Sequence, residues 1–306
     1  MALVVDVEAV LDGVVLEVGD EARNIDGGHA GPFLQARLKT TACHYRGVRA
    51  THGCAPVTGD RAAEVLGVLD ATADAVAAAL GSATEWGPSG LRATQYRSDL
   101  TADAAALAVL DRAGFGVVSE ESGDRRPDAP VWVALDPLDG STNAHRRLPW
   151  FACSVAAVDA EGPLAAVVVN LATGVRYRAT RGGGATRDAR AIRTSGCSVL
   201  GDALVSLSGL PPRHLGWGQF RALGAAALDL CAVADGTTDG FVDCSPDAHG
   251  VWDYLAGALV LREAGGSVSD AQGRSLAPRQ HSARRTPVAG ATPTLHADLV
   301  AARGGW

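Results

Sequence analysis

The chain has 306 residues, of which 47% are hydrophobic and 20% charged, with a formal charge of −7. That is a globular composition with enough length for a large core, and it argues against a disordered or fibrous chain. The acidic balance argues against a nucleic-acid backbone as main partner, which calls for a basic face; a phosphorylated metabolite stays open, because bound cations can supply positive charge locally.

The six cysteines lie far apart with no C-x-x-C pair, so they read as reduced, buried thiols, and the eight histidines form no zinc-ligand spacing with them. No apolar stretch approaches about 18 residues, and the amino terminus lacks a basic region followed by an apolar core. A soluble, cytoplasmic protein with no membrane partner is expected.

In chain order, residues 1–57 read as an amino-terminal extension, partly disordered, with an ordered extra layer on the core as the alternative. An amphipathic helix is predicted from Thr58 to Leu80, with Val65, Leu66, Val68, Leu69, Val76 and Leu80 on one side and Gly81 as its stop. A second helix is predicted with Thr101 as N-cap, running to Arg112, followed by a strand over Phe115–Val118. Val131–Leu135 reads as a buried strand stopped by Pro137. Strands follow over 151–158, 164–170 and 174–179, and the glycine run 181–185 reads as a hairpin turn, since it lacks the Lys-Ser/Thr ending of a P-loop. Beyond residue 200 a strand over 203–208, a helix over 221–234, a strand over 240–243 and a helix over 251–264 are predicted. A last strand (287–291) precedes a helix whose first turn holds Pro293. The alternation signals layered α/β architecture, with halves at 58–200 and 201–306.

The segment Trp132-Val-Ala-Leu-Asp-Pro-Leu-Asp-Gly-Ser-Thr-Asn143 carries the chemistry. Asp136 and Asp139 stand at the tip of a buried strand, and the Gly-Ser-Thr turn after them opens a helix whose first N–H groups are free. Two carboxylates beside such N–H groups call for a cation between them and an anion above: hard divalent ions take carboxylate oxygens, magnesium shares its shell with phosphate, and helix starts cradle phosphate. Glu120-Glu121-Ser122 ends another short strand, and Asp253 stands in the first turn of an apolar helix, a place the helix dipole alone favours.

Together these segments resemble the inositol monophosphatase family: Glu-Glu-Ser, then Asp-Pro-Leu-Asp-Gly-Ser-Thr-Asn, then Trp252-Asp253, then Glu263-Ala-Gly-Gly266, in the family's order over roughly residues 58–306. The resemblance implies an alternating αβαβα sandwich, a homodimer, and two or three Mg2+ ions per site. Glu120, Asp136 and the Leu138 carbonyl are implied as ligands of one ion, and Asp136, Asp139 and Asp253 as ligands of a second. Glu120 also helps to hold a third through water. Ser141 is implied as the contact of the attacking water, Asp103 as the support of that hydroxyl, Gly140, Ser141 and Thr142 as phosphate-binding N–H donors, and Asp243 as a substrate contact. His145 and His249 stand near the motifs as open candidates for substrate contact.

Such a site activates water by metal coordination and stabilises charge on the departing alkoxide, with no covalent phospho-enzyme. The implied substrate is a small phosphate monoester, read here as a cyclitol or sugar-like phosphate. Histidinol phosphate, fructose 1,6-bisphosphate, 3′-phosphoadenosine phosphates, a calcium-stabilised fold and a catalytically silent homologue are the alternatives.

Overall fold

A 24-residue helix, α1 (Thr58–Gly81), and a 17-residue helix, α2 (Arg97–Ala113), pack on each other and cover one face of the first sheet. The computed structural model describes residues 58–92 and 95–304; the extension assigned to residues 1–57 lies outside them. The predicted first helix is found where its apolar periodicity placed it. The second begins one turn earlier than Thr101: Asp99 Oδ2 accepts the Tyr96 N–H at 2.8 Å, closing the helix start there, and the Thr101 hydroxyl instead donates to the Arg97 carbonyl.

The first sheet has eight strands: β1 (Gly116–Ser119), β2 (Gly123–Arg125), β3 (Trp132–Asp139), β4 (Ala152–Asp159), β5 (Gly162–Asn170), β6 (Arg176–Thr180), β7 (Gly184–Arg187) and β8 (Arg190–Ala191), in the order β2-β1-β3-β4-β5-β6-β7-β8. Only β1 and β3 run parallel. Its central strands are apolar at nearly every position because both faces are covered. On β4 and β5, Cys153, Val155, Ala157, Ala165, Val167 and Val169 face α1 and α2. Their alternates Ala152, Ala156, Val158, Ala166 and Val168 face the helices α4 (Ala226–Ala234) and α5 (Val251–Glu263).

Those two helices are buried between sheets. Behind them lies a five-stranded sheet made of β9 (Leu204–Ser208), β10 (Gln219–Arg221), β11 (Gly240–Asp243), β12 (Ser267–Asp270) and β13 (Pro287–Gly290), ordered β10-β9-β11-β13-β12. Alternation again divides it. Phe241 and Ala289 join the α4/α5 core, while Val242 and Val288 pack with Leu295 and Leu299 of α6 (Pro293–Arg303). The layers run α1/α2, sheet, α4/α5, sheet, α6, the αβαβα sandwich expected. The last helix is capped by Thr292, whose hydroxyl accepts the Leu295 N–H, with Pro293 in the first turn.

Two further expectations are corrected. Pro137 does not stop β3: the strand runs on to Asp139, and Asp136 pairs with Ser154 while Asp139 pairs with Ala152. Three steps on β3 thus match two on β4, a bulge that absorbs a proline with no N–H to give. The helix predicted over 221–234 starts only at Ala226, because Gln219–Arg221 pairs with β9 and Gly224 turns the chain at φ +86°. The glycine run 181–185 forms the hairpin joining β6 to β7.

Candidate metal centre and active site

Parallel pairing of β1 with β3 aligns Ser119 with Leu135, and the Glu120 N–H donates to the Leu135 carbonyl at 3.1 Å. Glu120 therefore emerges beside Asp136. The Glu-Glu pair is then sorted by its neighbours. Arg92 (2.6 Å) and Gln95 bind the Glu121 carboxylate, leaving Glu120 to enter the cluster. Asp253 arrives from the opposite layer, in the first turn of α5, where its Oδ2 accepts the Gly250 N–H at 2.7 Å. Carboxylate oxygens of Glu120, Asp136 and Asp253 lie within 4.8 Å of one another.

Asp136 is buried and has one hydrogen-bond donor to its carboxylate among the described residues, the Leu138 N–H at 2.9 Å. Burial, then the charges of Glu120, Asp139 and Asp253, hold its pKa well above the usual carboxylate range. The same forces, burial first and Asp253 next, push Glu120 up to about 8 and Asp139 up to about 7. Buried like charges facing one another are unfavourable unless a cation joins them. An all-oxygen, carboxylate-rich donor set suits a hard divalent ion, so the residues present fit a metal centre.

Asp139 stands outside the three-way group. Its Oδ2 accepts the Ala227 N–H at 2.8 Å, and with Asp253 it lines an adjoining pocket of about 200 Å3 shared with Ser208, His249, Asp229 and the 224–226 turn. Leu138 lies between the two aspartates with its side chain in the α1/α2 core. Gly140 takes φ +83°, and a Cβ there would meet Trp150 O at 3.0 Å, Ala225 Cβ at 3.1 Å and Gly224 O at 3.2 Å. This glycine lets the chain turn from β3 directly into the short helix α3 (Ser141–Arg146), which begins with Ser141 and Thr142.

The remaining candidates are placed differently from one another. Asp103 accepts the hydroxyls of Ser119 (2.6 Å) and Ser122 (3.4 Å), and Ser119 Oγ in turn accepts the Glu121 N–H. It shapes the Glu-Glu-Ser turn, and no hydrogen bond joins it to Ser141. One turn earlier on α2, buried Asp99 is raised to about 6 by burial and by Glu121, and its charge also acts on Glu120. Sequence reading missed Asp99; the signal available was its position four residues before Asp103, on the same helix face. Asp243, at the end of β11, is fully buried and sits 3.8 Å from His249 Nε2 rather than lining the pocket. His145 stacks on Tyr96 and contacts the Trp86 carbonyl, beside a separate cavity of about 540 Å3 that contains no acidic residue. His249 is the histidine in the acidic pocket, 3.2 Å from Asp253 Oδ2 and 3.1 Å from Ser208 Oγ.

The inositol monophosphatase family model matches residues 93–304. The chain belongs to the inositol monophosphatase family. It is 38% identical over 182 residues to an inositol-1-monophosphatase of Mesorhizobium japonicum, a match covering 53% of this chain and 65% of that relative. The chain thus spans about two thirds of the length of that relative. It is 34% identical over 209 residues to a fructose-1,6-bisphosphatase/inositol-1-monophosphatase of Archaeoglobus fulgidus, covering 66% of this chain and 81% of the relative. The solved inositol monophosphatase of Anabaena superposes with a TM-score of 0.66 at 27% identity, covering 80% of this chain and 97% of that one. Among the described residues, no helix is long and apolar enough to cross a membrane.

Proposed function

We propose that the protein is a magnesium-dependent phosphomonoesterase that hydrolyses a small phosphorylated cyclitol or sugar-like alcohol. The observation that carries this reading is the convergence of Glu120, Asp136 and Asp253 within 4.8 Å, with burial and mutual repulsion raising the pKa values of Glu120 and Asp136. Glu120, Asp136 and the Leu138 carbonyl would hold one Mg2+, and Asp136, Asp139 and Asp253 another; Glu120 would help to hold a third. When bound, such ions supply Lewis acidity and lower the pKa of a coordinated water. The first N–H groups of α3, at Gly140, Ser141 and Thr142, receive phosphate oxygens, and the Ser141 hydroxyl orients the water. Phosphoryl transfer needs little more than this positioning and charge stabilisation. Asp103 acts one step back, holding the turn that presents Glu120.

The leaving alcohol occupies the pocket of about 200 Å3 beside Asp139 and Asp253. At about 30 Å3 per water this is room for one sugar-sized unit. Its lining of Asp139, Ser208, Asp229, His249 and Asp253 offers polar partners to the hydroxyl groups of an alcohol. That supports a hydroxyl-rich leaving alcohol, with Asp243 contributing through His249. By analogy with the family, the working protein is a cytoplasmic homodimer.

The test is phosphate release from a panel of phosphorylated metabolites, with and without Mg2+. Inositol monophosphates and sugar monophosphates should be hydrolysed only with Mg2+, and Asp139→Asn and Asp253→Asn should each remove most of the turnover while the circular dichroism stays native. Full turnover in both variants would eliminate the carboxylate cage as the active site.

A further inference from the structure

The ring of His249 connects three elements. On one side Nδ1 lies 3.2 Å from Asp253 Oδ2, at the start of α5; on the other, Nε2 lies 3.1 Å from Ser208 Oγ, at the end of β9, and 3.8 Å from Asp243 Oδ2, at the end of β11. Asp253 Oδ2 already accepts the Gly250 N–H, so both donors converge on that one oxygen. Oδ1 has no hydrogen-bond donor among the described residues.

The histidine is itself fixed from behind. Its N–H donates to the Arg285 carbonyl at 3.2 Å, and the Arg285 N–H returns to the His249 carbonyl at 2.8 Å, an isolated antiparallel bridge. Two residues earlier, the Asp247 N–H donates to Thr286 Oγ1, and Arg274 spans Asp247 (2.6 Å) and Asp270 (2.7 Å). The loop preceding α5 is therefore tied to the β12–β13 connection, and the ring is held 14% exposed at the pocket wall.

The geometry points to His249 as the positioning residue of the metal centre: its Nδ1–H pins Oδ2 of Asp253, so that Oδ1 is the oxygen offered to the cation, and Ser208 fixes the ring from its other nitrogen. This inference rests on the metal-centre reading above. It holds for a neutral or a charged ring, since both can donate from Nδ1. Partners that orient a metal-binding side chain commonly contribute 10- to 100-fold in metal affinity.

Two near-isosteric variants separate positioning from bulk structure. Asparagine places its amide where Nδ1 stands and keeps a donor to Asp253; glutamine reaches only the Nε2 position and leaves Oδ2 with the backbone donor alone. Mg2+ binding to the metal-free protein is measured by calorimetry, with no substrate present. His249→Gln should weaken Mg2+ by about tenfold or more, His249→Asn should stay within about threefold of wild type, and Ser208→Ala should fall between them. Wild-type affinity in His249→Gln, or equal losses in the Asn and Gln variants, overturns the assignment. A glutamine variant that fails to fold passes the test to Ser208→Ala, where unchanged Mg2+ affinity overturns it equally. Asp253→Asn is the control: if it binds Mg2+ like wild type, the metal centre itself is misplaced, whereas normal loss there with no effect at His249 sinks this inference alone.

Discussion

Asp136, within β3, and Asp270, at the end of β12, are buried to the same degree, 2% exposed, yet they are in opposite electrostatic states. Asp270 lies among donors: Arg274 Nε and Nη2 at 2.7 and 2.8 Å, and the N–H groups of Thr286, Gln272 and Arg274. Burial works to raise its pKa, but the Arg274 hydrogen bond and the backbone N–H groups outweigh it and hold the carboxyl at about 2. Asp136 has one N–H and three acidic neighbours, and burial with their charges drives it the other way. A buried carboxylate with all its lone pairs satisfied belongs to the architecture. One left short of donors among other acids marks where a cation belongs.

The largest expected effect comes from Asp136→Asn. Charge stabilisation by a metal centre is worth several kcal/mol in the transition state, so losing this shared carboxylate should lower kcat/KM for phosphate release about a thousandfold. The same change removes a carboxyl whose ionisation burial and its acidic neighbours oppose in the metal-free fold. Its melting temperature in EDTA at pH 8 should therefore equal or exceed that of wild type. A variant that loses both activity and metal-free stability would show that Asp136 belongs with Asp270 as an architectural residue.

The contrast also has a pH signature. Burial, then the Asp253 charge, push Glu120 up to about 8 and Asp139 up to about 7, above their ordinary values of 4.5 and 3.8. Between those limits the folded chain holds protons that the unfolded chain has released, so stability falls as pH rises. Metal-free protein should melt progressively lower from pH 5 to pH 8. Mg2+ should restore more of the melting temperature at pH 8 than at pH 5, because a ligand that binds only the folded, ionised site stabilises by mass action. Asp270 has the opposite sign: its contribution is present above the unfolded value of 3.8 and is lost as pH falls toward about 2. A flat melting profile in EDTA between pH 5 and pH 8 would remove the repulsion from the cluster.

How much of this could be read in the sequence depended on covalent distance. Asp136 and Asp139 share one strand end with the glycine turn, so a single stretch of chain carried their chemistry. The buried strands around 133, 155 and 167 were equally plain, since a run apolar at every position has no solvent face. His249 was legible only as a histidine near a motif. Its role depends on Ser208, 41 residues away, and on a backbone bridge to Arg285, and local periodicity specifies neither. Asp99 was missed because Thr101 looked like a better helix start, whereas the Asp99 carboxylate itself closes the first turn. β12 was invisible for a similar reason: Ser267–Asp270 carries one large apolar residue, and its pairing with β13 supplies what its composition does not.

Asp270→Asn probes the other side of the comparison. The substitution leaves Arg274, which also binds Asp247, with half its carboxylate partners, and it breaks a pair whose acidic side chain is fully buried. Arg274 is a third exposed and keeps Asp247, so the cost is that of the lost charged hydrogen bonds, about 1.5–3 kcal/mol. Chemical denaturation at pH 7 should show a loss of that size, with kcat per folded molecule reduced far less than in Asp136→Asn. A loss below about 1 kcal/mol would mean that the backbone donors alone hold the β12–β13 connection.

The smallest effect is expected where a carboxylate is neither buried nor crowded. Glu85 pairs with Arg97 at the start of α2, with the two side chains 63% and 55% exposed. Water solvates both partners whether or not they touch, and holding two long side chains together costs rotamer entropy. Arg97→Ala should therefore change stability by about 0.5 kcal/mol or less, and the change should vanish in high salt. Arg97 also begins the helix that carries Asp99 and Asp103, so the same variant asks whether the helix start needs this ion pair. The Asp99 carboxylate on the Tyr96 N–H already supplies a first-turn closure within the chain. A salt-independent loss above about 1 kcal/mol in Arg97→Ala would mean that the exposed pair, and not Asp99, fixes where α2 begins.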